Sequence, residues 1–365
     1  MNLLQEDQFI VKNVGQREEL KEGNKIFPPP PPPDVHLGGE FFYNQIGMYP
    51  SYLNLEKKEL EKRIEKLFKI LKNCEICPRK CHVNRLKGEK GYCQLGYLPM
   101  VSAYHPHFGE ESVLVGRHGS GTCFMTSCNL SCVFCQNYEI SQLRIGKEVS
   151  FEELAEMMIE LQSVGCRNIN FVTPTPQVPA ILKSLKIAIE KGLKIPLVYN
   201  TSSYDSLEVL KLLDGIFDIY LPDAKYSDDK IAQKYSNAPN YFEIMKSAIK
   251  EMHRQVGDLI ISNLKSQNSK PKLKSQNFGD IPEGVALRGL ILRHLVLPNN
   301  LAGSEKIFKF IADEISKNTF LNIMDQYMPY YRAGEFPELN RPITQEEFQE
   351  AINLAKKFGL KRIYY

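Results

Sequence analysis

The sequence predicts an α/β protein: a partial (β/α)6, TIM-like barrel with an N-terminal cysteine-rich module and an extension ahead of it. Two observations predict the barrel. From Gly119 onward six short apolar runs follow in series: TCFMTS, NINFVTP, IPLVYNTS, FDIYLPD, LILRHLVLP and FLNIMDQY. Segments with apolar residues at helical spacing alternate with them, at 151–164, 177–191, 205–213, roughly 229–252, 304–316 and 344–358. Strand-then-helix repetition builds parallel sheet, and right-handed crossovers curl it into a barrel or part of one. A third observation is size: 365 residues, 43% of them apolar, can bury a large core beside an appendage. The expected divisions are an extension at 1–54, a helix plus four-cysteine module at 55–118, and the barrel at 119–365 with an inserted polar loop at 264–280.

Taken in order, the extension holds six consecutive prolines, Pro28 to Pro33, which form a stiff polyproline II rod. LEKKELEKRIEKLFKIL at 55–71 sets Leu60, Ile64, Leu67 and Leu71 at helical spacing, an amphipathic helix. Residues 74–118 are rich in cysteine, glycine and turn residues. Inside the barrel, LKSQN occurs at 264–268 and again at 273–277, and this polar, lysine-rich stretch is a solvated loop. The 46 basic and 43 acidic residues nearly cancel, which gives no reason to expect nucleic acid as a partner. No stretch approaches the ~18 apolar residues of a membrane helix. The N-terminus carries acidic residues where a secretion signal needs basic ones. A cytoplasmic protein is expected, and in that compartment clustered thiols serve as metal ligands or catalytic groups.

The sharpest signal is CNLSCVFC, Cys128-x3-Cys132-x2-Cys135. An odd number of sulfurs suits disulfides poorly. The trio directly follows the first strand, at the mouth of a parallel barrel, where such folds keep their chemistry. Three thiolates can each hold one iron of a [4Fe–4S] cube, leaving the fourth iron open to a small molecule. Zinc is the alternative, but structural zinc prefers four protein ligands, and no fourth lies close in sequence.

CxxxCxxC with Phe134 just before the last cysteine resembles the signature of radical S-adenosylmethionine (SAM) enzymes. CVFCQN, which adds Asn137, is similar to the branch around glycyl-radical activating enzymes such as the pyruvate formate-lyase activating enzyme. CEICPRKCHVNR, GEKGYC, GSG, VYNTSSY, YLPDAKY, LRHLVLP and MDQYMP, spanning about 74–345, resemble an uncharacterised activating-enzyme-like subgroup. The resemblance implies that Cys128, Cys132 and Cys135 ligate a [4Fe–4S] cluster, with SAM on the open iron and Phe134 near its adenine. It implies reductive cleavage of SAM to a 5′-deoxyadenosyl radical that abstracts hydrogen. The partners implied are SAM, a one-electron reductant such as flavodoxin or ferredoxin, and an unidentified substrate, a protein glycine loop among the candidates.

The same resemblance places cofactor contacts at strand ends. Thr173 to Thr175 stand where a Gly-Gly-Glu type segment is usual, and their backbone carbonyls would accept from the SAM ammonium. Asn200 and Thr201 match the first two positions of an Asp-Thr-Asn-Gly-like stretch. Asp223 and Lys225 resemble an Asp-x-Lys motif, Lys225 pairing with the SAM carboxylate. Arg293 and His294 lie inside an apolar strand, whose alternation sends them to opposite faces, so one should meet the cofactor. Asp325, Gln326 and Tyr327 are candidates for the substrate side.

A second set, Cys74-x2-Cys77-x3-Cys81-x11-Cys93, can wrap one metal, with zinc and a second iron–sulfur cluster both open and His82 a substitute ligand. Cys123 and Cys166 read as small core residues. His105, His107, Glu110 and Glu111 read as exposed loop residues or as part of the active-site rim. Two other functions compete with the enzyme: a zinc-binding, non-catalytic interaction protein, and an electron-transfer iron–sulfur protein.

Overall fold

The computed structural model describes residues 50–262 and 284–365. The polyproline tract and the inserted loop at 264–280 lie outside the described residues. Ten strands form one sheet: β1 (Met100–His107), β2 (Ser120–Met125), β3 (Lys147–Glu148), β4 (Ile169–Val172), β5 (Leu197–Thr201), β6 (Ile219–Pro222), β7 (Ile260–Ile261), β8 (Ala286–Leu295), β9 (Phe320–Met324) and β10 (Arg362–Tyr364). Their order is β10-β9-β8-β6-β5-β4-β2-β1-β3, with β7 beside β8. From β2 to β10 every step along that order is parallel. The six expected strands are therefore β2, β4, β5, β6, β8 and β9. β3 and β10 end the order on opposite edges, so the sheet is an open, partial barrel.

Helices α1 (Lys57–Ile70), α2 (Phe151–Ser163), α3 (Val178–Glu190), α4 (Leu207–Lys211), α5 (Asp229–Ser236), α6 (Tyr241–Val256), α7 (Ser304–Phe310) and α8 (Gln345–Lys357) cover the outer face. Capping boxes fix two starts: Ser150 with Glu153 at α2, and Thr344 with Glu347 at α8. The expected helix over 229–252 is two helices. Asn237 and Asn240, either side of Ala238-Pro239, take left-handed backbone at φ 48° and 54° and break it. α1 is not a separate body, since Leu60, Ile64, Leu67 and Leu71 join the same core as Leu154, Ile181 and Leu185.

Period-two alternation divides the strand residues between two apolar layers. Phe171, Tyr199, Tyr220, Leu290, Leu292, Leu321 and Ile323 point outward into the core beneath the helices. Val198, Ile219, Leu221, Ile291 and Phe320 point inward, where Val113 and Leu114 of a one-turn helix plug the base of the barrel. Two residues further along the same inner face the side chains become polar: Asn200, Asp223, Arg293 and Asn322.

One edge was not foreseen. β1 pairs antiparallel with β2, His105 opposite Thr122, so the expected division at 118 falls in the connection between two paired strands. Among the described residues no helix is long and apolar enough to cross a membrane.

Candidate active site at the barrel mouth

The chain leaves β2 through Ser127, which takes left-handed backbone at φ 76°, and enters the cysteine loop. The loop is tied to the end of α5 by two amides, Ser131 N to Ser236 O at 3.0 Å and Val133 N to Tyr235 O at 2.8 Å. Each sulfur has a donor. Leu130 N meets Cys128 Sγ at 3.3 Å, Ser236 Oγ donates to Cys132 Sγ at 2.9 Å, and Ser141 Oγ lies 3.2 Å from Cys135 Sγ. Donors aimed at sulfur suit thiolate, the ligand form. Phe134 is buried edge-on against Tyr327 and Tyr226, with ring centroids 5.6 and 6.4 Å away.

Behind the loop lies a largely buried charged ring, its Asp223, Lys225 and Arg293 side chains 14–18% exposed. Asp223 joins Lys225 Nζ to Arg293 Nε, each contact 2.7 Å. Arg293 also donates to Asn200 Oδ1 at 2.7 Å. The carboxylates of Glu110 and Glu111 stand 3.7 and 3.9 Å from the same guanidinium. Asn322 donates to Glu111 at 3.0 Å. Burial would raise the Asp223 carboxyl, but Arg293 and then Lys225 outweigh it and hold it below its usual range. Glu110 goes the other way: burial, then the Glu111 charge, push its carboxyl well above the usual range. Lys225 links ring and loop. Burial pushes all three loop thiols up, Cys135 to about 11, and the Lys225 ammonium opposes this at Cys128, Cys132 and Cys135 alike.

With this geometry the comparisons with known proteins agree. The model for the radical SAM superfamily matches residues 122–264, from β2 through the cysteine loop and the ring residues Asn200, Asp223 and Lys225. The uncharacterised protein MJ0674 of Methanocaldococcus jannaschii is 35% identical over 315 residues, 84% of this chain and 80% of its own. The chain belongs to the radical SAM superfamily. A second protein of that organism, the uncharacterised MJ0808, is 26% identical over 80% of each chain. Among solved structures, a domain of the pyruvate-formate lyase-activating enzyme from Bacteroides vulgatus is similar over 48% of this chain and 84% of its own, at 16% identity and a TM-score of 0.31.

Radical SAM membership implies a [4Fe–4S] cluster and SAM. The donor set fits that group: three thiols on one loop, each with a hydrogen-bonding neighbour, and a partly buried lysine in the adjoining ring.

The other expected contacts divide. Of the pair in β8, Arg293 turns inward to the ring and His294 outward. His294 is fully buried in the helical layer, its ring nitrogens 2.8 Å from Ala224 O and 2.9 Å from Ser304 Oγ, and burial depresses its pKa to about 4. It is a core histidine, not a cofactor contact. Thr175 and Thr201 are also turned from the cavity. Both hydroxyls donate to buried Asp205, at 2.8 and 2.6 Å, with Tyr199 OH adding a third bond at 2.9 Å. Thr173 sits at φ 59°, strained for a β-branched residue, with its amide on Asn200 O at 2.9 Å. Asn137 is exposed at the start of a one-turn helix, Tyr138–Ser141. Asp325 and Gln326 are exposed, whereas Tyr327 is buried, its hydroxyl on Leu339 O at 2.8 Å.

Glu110 and Glu111 are part of the buried ring and not exposed loop. The signal available in sequence was the apolar pair Val113-Leu114 just after them, which anchors the segment inside the barrel. His105 and His107 are half-buried strand residues around Phe124, with centroids 5.3 and 5.6 Å from its ring. Cys123 and Cys166 are buried in the core. In the four-cysteine module His82 is exposed and lies beside Asn73 and Glu75, off the cavity that the cysteines line.

Proposed function

We propose that the chain is a hydrogen-abstracting radical SAM enzyme whose cluster ligands are Cys128, Cys132 and Cys135. The observation that carries the reading is the pairing of the three-cysteine loop at the end of β2 with the Lys225–Asp223–Arg293 ring at the same end of the parallel sheet, Asp223 2.7 Å from both cations. When bound, the cluster and SAM supply a 5′-deoxyadenosyl radical after one-electron reduction. The protein's part is to orient. Lys225 offers its ammonium to the SAM carboxylate while Asp223 fixes where that ammonium stands. Arg293 holds Asp223 and Asn200 in place, and Asn200 takes a position near the methionine end. The Thr173 to Thr175 turn presents backbone carbonyls to the SAM ammonium. Phe134, clamped between Tyr226 and Tyr327, keeps water from the adenine side of the loop.

Glycyl-radical activation of a partner protein is the activity we favour within this class. The open edge of the sheet supports it, since a peptide loop needs lateral entry to a barrel mouth. The test is anaerobic assembly of the full chain with iron and sulfide, then measurement of 5′-deoxyadenosine after addition of SAM and a reductant. Cys132→Ala should abolish it, and product persisting in that variant would overturn the assignment. Product that rises with a candidate partner, together with a glycyl EPR doublet on that partner, supports activation. SAM cleavage without any partner-dependent radical refutes it.

A further inference from the structure

The cysteines ahead of the barrel are not scattered. Cys74, Cys77, Cys81 and Cys93 line one small cavity, which two arginines and Asn129 help to close. Cys74, Cys77 and Cys93 are buried. Four thiols lining one cavity are a ligand set for a shared metal group.

The backbone is shaped around them. Cys74 N bonds Val83 O at 2.9 Å and His82 N bonds Cys74 O at 3.1 Å, clamping Cys74 to the segment after Cys81. Tyr92 N donates to Cys81 Sγ at 3.3 Å. A Cβ on Gly91 would lie 2.6 Å from Cys81 Cβ and 2.8 Å from its sulfur, so only glycine leaves that sulfur its place. Arg85, 2% exposed, is held by Gly96 O and Pro176 O, with Nε 2.8 Å from the first and one terminal nitrogen 2.8 Å from the second. Arg85 and all four cysteines line the same cavity. Four thiolates around a metal carry net negative charge, and this buried arginine offsets it.

The cavity shares a wall with the active site. Asn129, which lines it, is the residue after Cys128. Arg79 Nε donates to Asn129 O at 2.9 Å, and its guanidinium lies over the Tyr92 ring at 3.8 Å. Tyr92 OH bonds Ser131 Oγ, and Ser127 Oγ donates to Cys93 O. One segment, Ser127 to Ser131, which carries Cys128 itself, therefore also bonds the four-cysteine module.

We propose that Cys74, Cys77, Cys81 and Cys93 hold a second, fully ligated [4Fe–4S] cluster that relays single electrons to the centre at Cys128, Cys132 and Cys135. A low-potential one-electron donor, an iron–sulfur or flavin protein, reduces it from the 2+ to the 1+ state. It returns to 2+ on passing that electron to the centre through the shared Ser127–Ser131 segment, which carries Cys128. No bond forms or breaks and no proton moves. The relay role rests on the function proposed above; the site itself does not.

The test is anaerobic reconstitution of the full chain with ferrous iron and sulfide, with zinc present as a competitor. Metal and sulfide are counted per chain, and EPR spectra are recorded after reduction, with and without SAM. Wild type should hold about eight irons and eight sulfides, two cubes' worth. Cys132→Ala should keep about half, with an EPR signal that SAM does not alter. The paired change Cys77→Ala and Cys93→Ala should also keep about half, with a signal that SAM does alter. A Cys132→Ala protein that binds no iron, or carries zinc in its place, overturns the second cluster. That variant leaves the module intact, so it decides even if the paired variant does not fold. In doubly reduced wild type the two signals should broaden one another; two narrow, independent signals overturn the relay. A wild type whose EPR ignores SAM while Cys132→Ala keeps half its iron strikes the proposed function and leaves the second site standing.

Discussion

Arg293→Met removes one cation from a buried ring of three carboxylates, Glu110, Glu111 and Asp223, and two cations. The side chain makes two bonds of 2.7 Å, to Asp223 and Asn200, and faces Glu110 and Glu111 at 3.7 and 3.9 Å. Its side chain is 16% exposed and those of the three carboxylates 14% or less, so water replaces little of what is lost. Deleting one partner of a buried pair costs about 3–5 kcal/mol. Two charge-assisted hydrogen bonds at about 1.5–3 kcal/mol each give the same range. A loss near 4 kcal/mol at neutral pH is therefore expected. Its pH dependence has a definite sign. In the wild type Asp223 is held low, so its stabilisation is present above the unfolded pKa and is lost as pH falls through the folded one. In the variant Asp223 keeps only Lys225 against its burial, and Glu110, already held high, loses a cation that restrained it. Both carboxyls then titrate higher than in the wild type, so the variant loses stability relative to it as pH rises. The gap between the two proteins should thus widen with rising pH and narrow as pH falls toward the usual carboxylate range. Urea unfolding followed by circular dichroism across that range measures it. A loss under about 1 kcal/mol, or one that does not change with pH, refutes the reading of a charge-balanced ring.

Other outcomes follow from single contacts. Asp218 carries the reverse pH signature: burial pushes its carboxyl up to about 6, so wild-type stability falls as pH rises from about 4 to about 6. Asp218→Asn should flatten that slope and gain up to about 3 kcal/mol at pH 7, and melting curves showing a net loss there contradict it. Asp205→Ala leaves the hydroxyls of Thr175, Thr201 and Tyr199 without their buried acceptor and should cost about 3–5 kcal/mol in denaturant titrations; a neutral result would mean that other acceptors are within reach. Thr173→Gly relieves a left-handed backbone worth about 1–2 kcal/mol, less about 0.5–1 kcal/mol of glycine entropy, so a small rise in melting temperature is expected and a fall counts against strain at this turn.

The parallel strands were legible because each is an apolar run bounded by turn residues, and the helices because their apolar residues recur every three or four positions. β1 was not, since MVSAYHPH carries two histidines and Pro106 and pairs at a sheet edge, where neither alternation nor apolar density is demanded. The break between α5 and α6 was carried by Ala238-Pro239-Asn240, a signal present in the text but outweighed by the apolar periodicity on both sides. At the site, the cysteine trio stood out by its spacing, and alternation put one of Arg293 and His294 inward without saying which. That the hydroxyls of Thr175 and Thr201 are both committed to Asp205 was not legible, because residue type at a strand end does not reveal an acceptor that lies thirty residues from one and four from the other. Glu110 and Glu111 were hidden for a related reason: acidic residues in a loop look solvated until the partner that buries them, Arg293, is brought from 180 residues away by the fold.

The tie between Ser51 and Asp218, 2.6 Å from hydroxyl to carboxylate, anchors the start of the described chain just ahead of β6. Ser262 and Gly284, which flank the inserted loop, sit just ahead of β8 and meet the same end of the sheet. Both joins are thus at the far pole from the sulfur loop. A spin label placed on Ser262 therefore stands at the pole opposite the mouth, which makes it a reporter that a partner docking at the mouth does not touch.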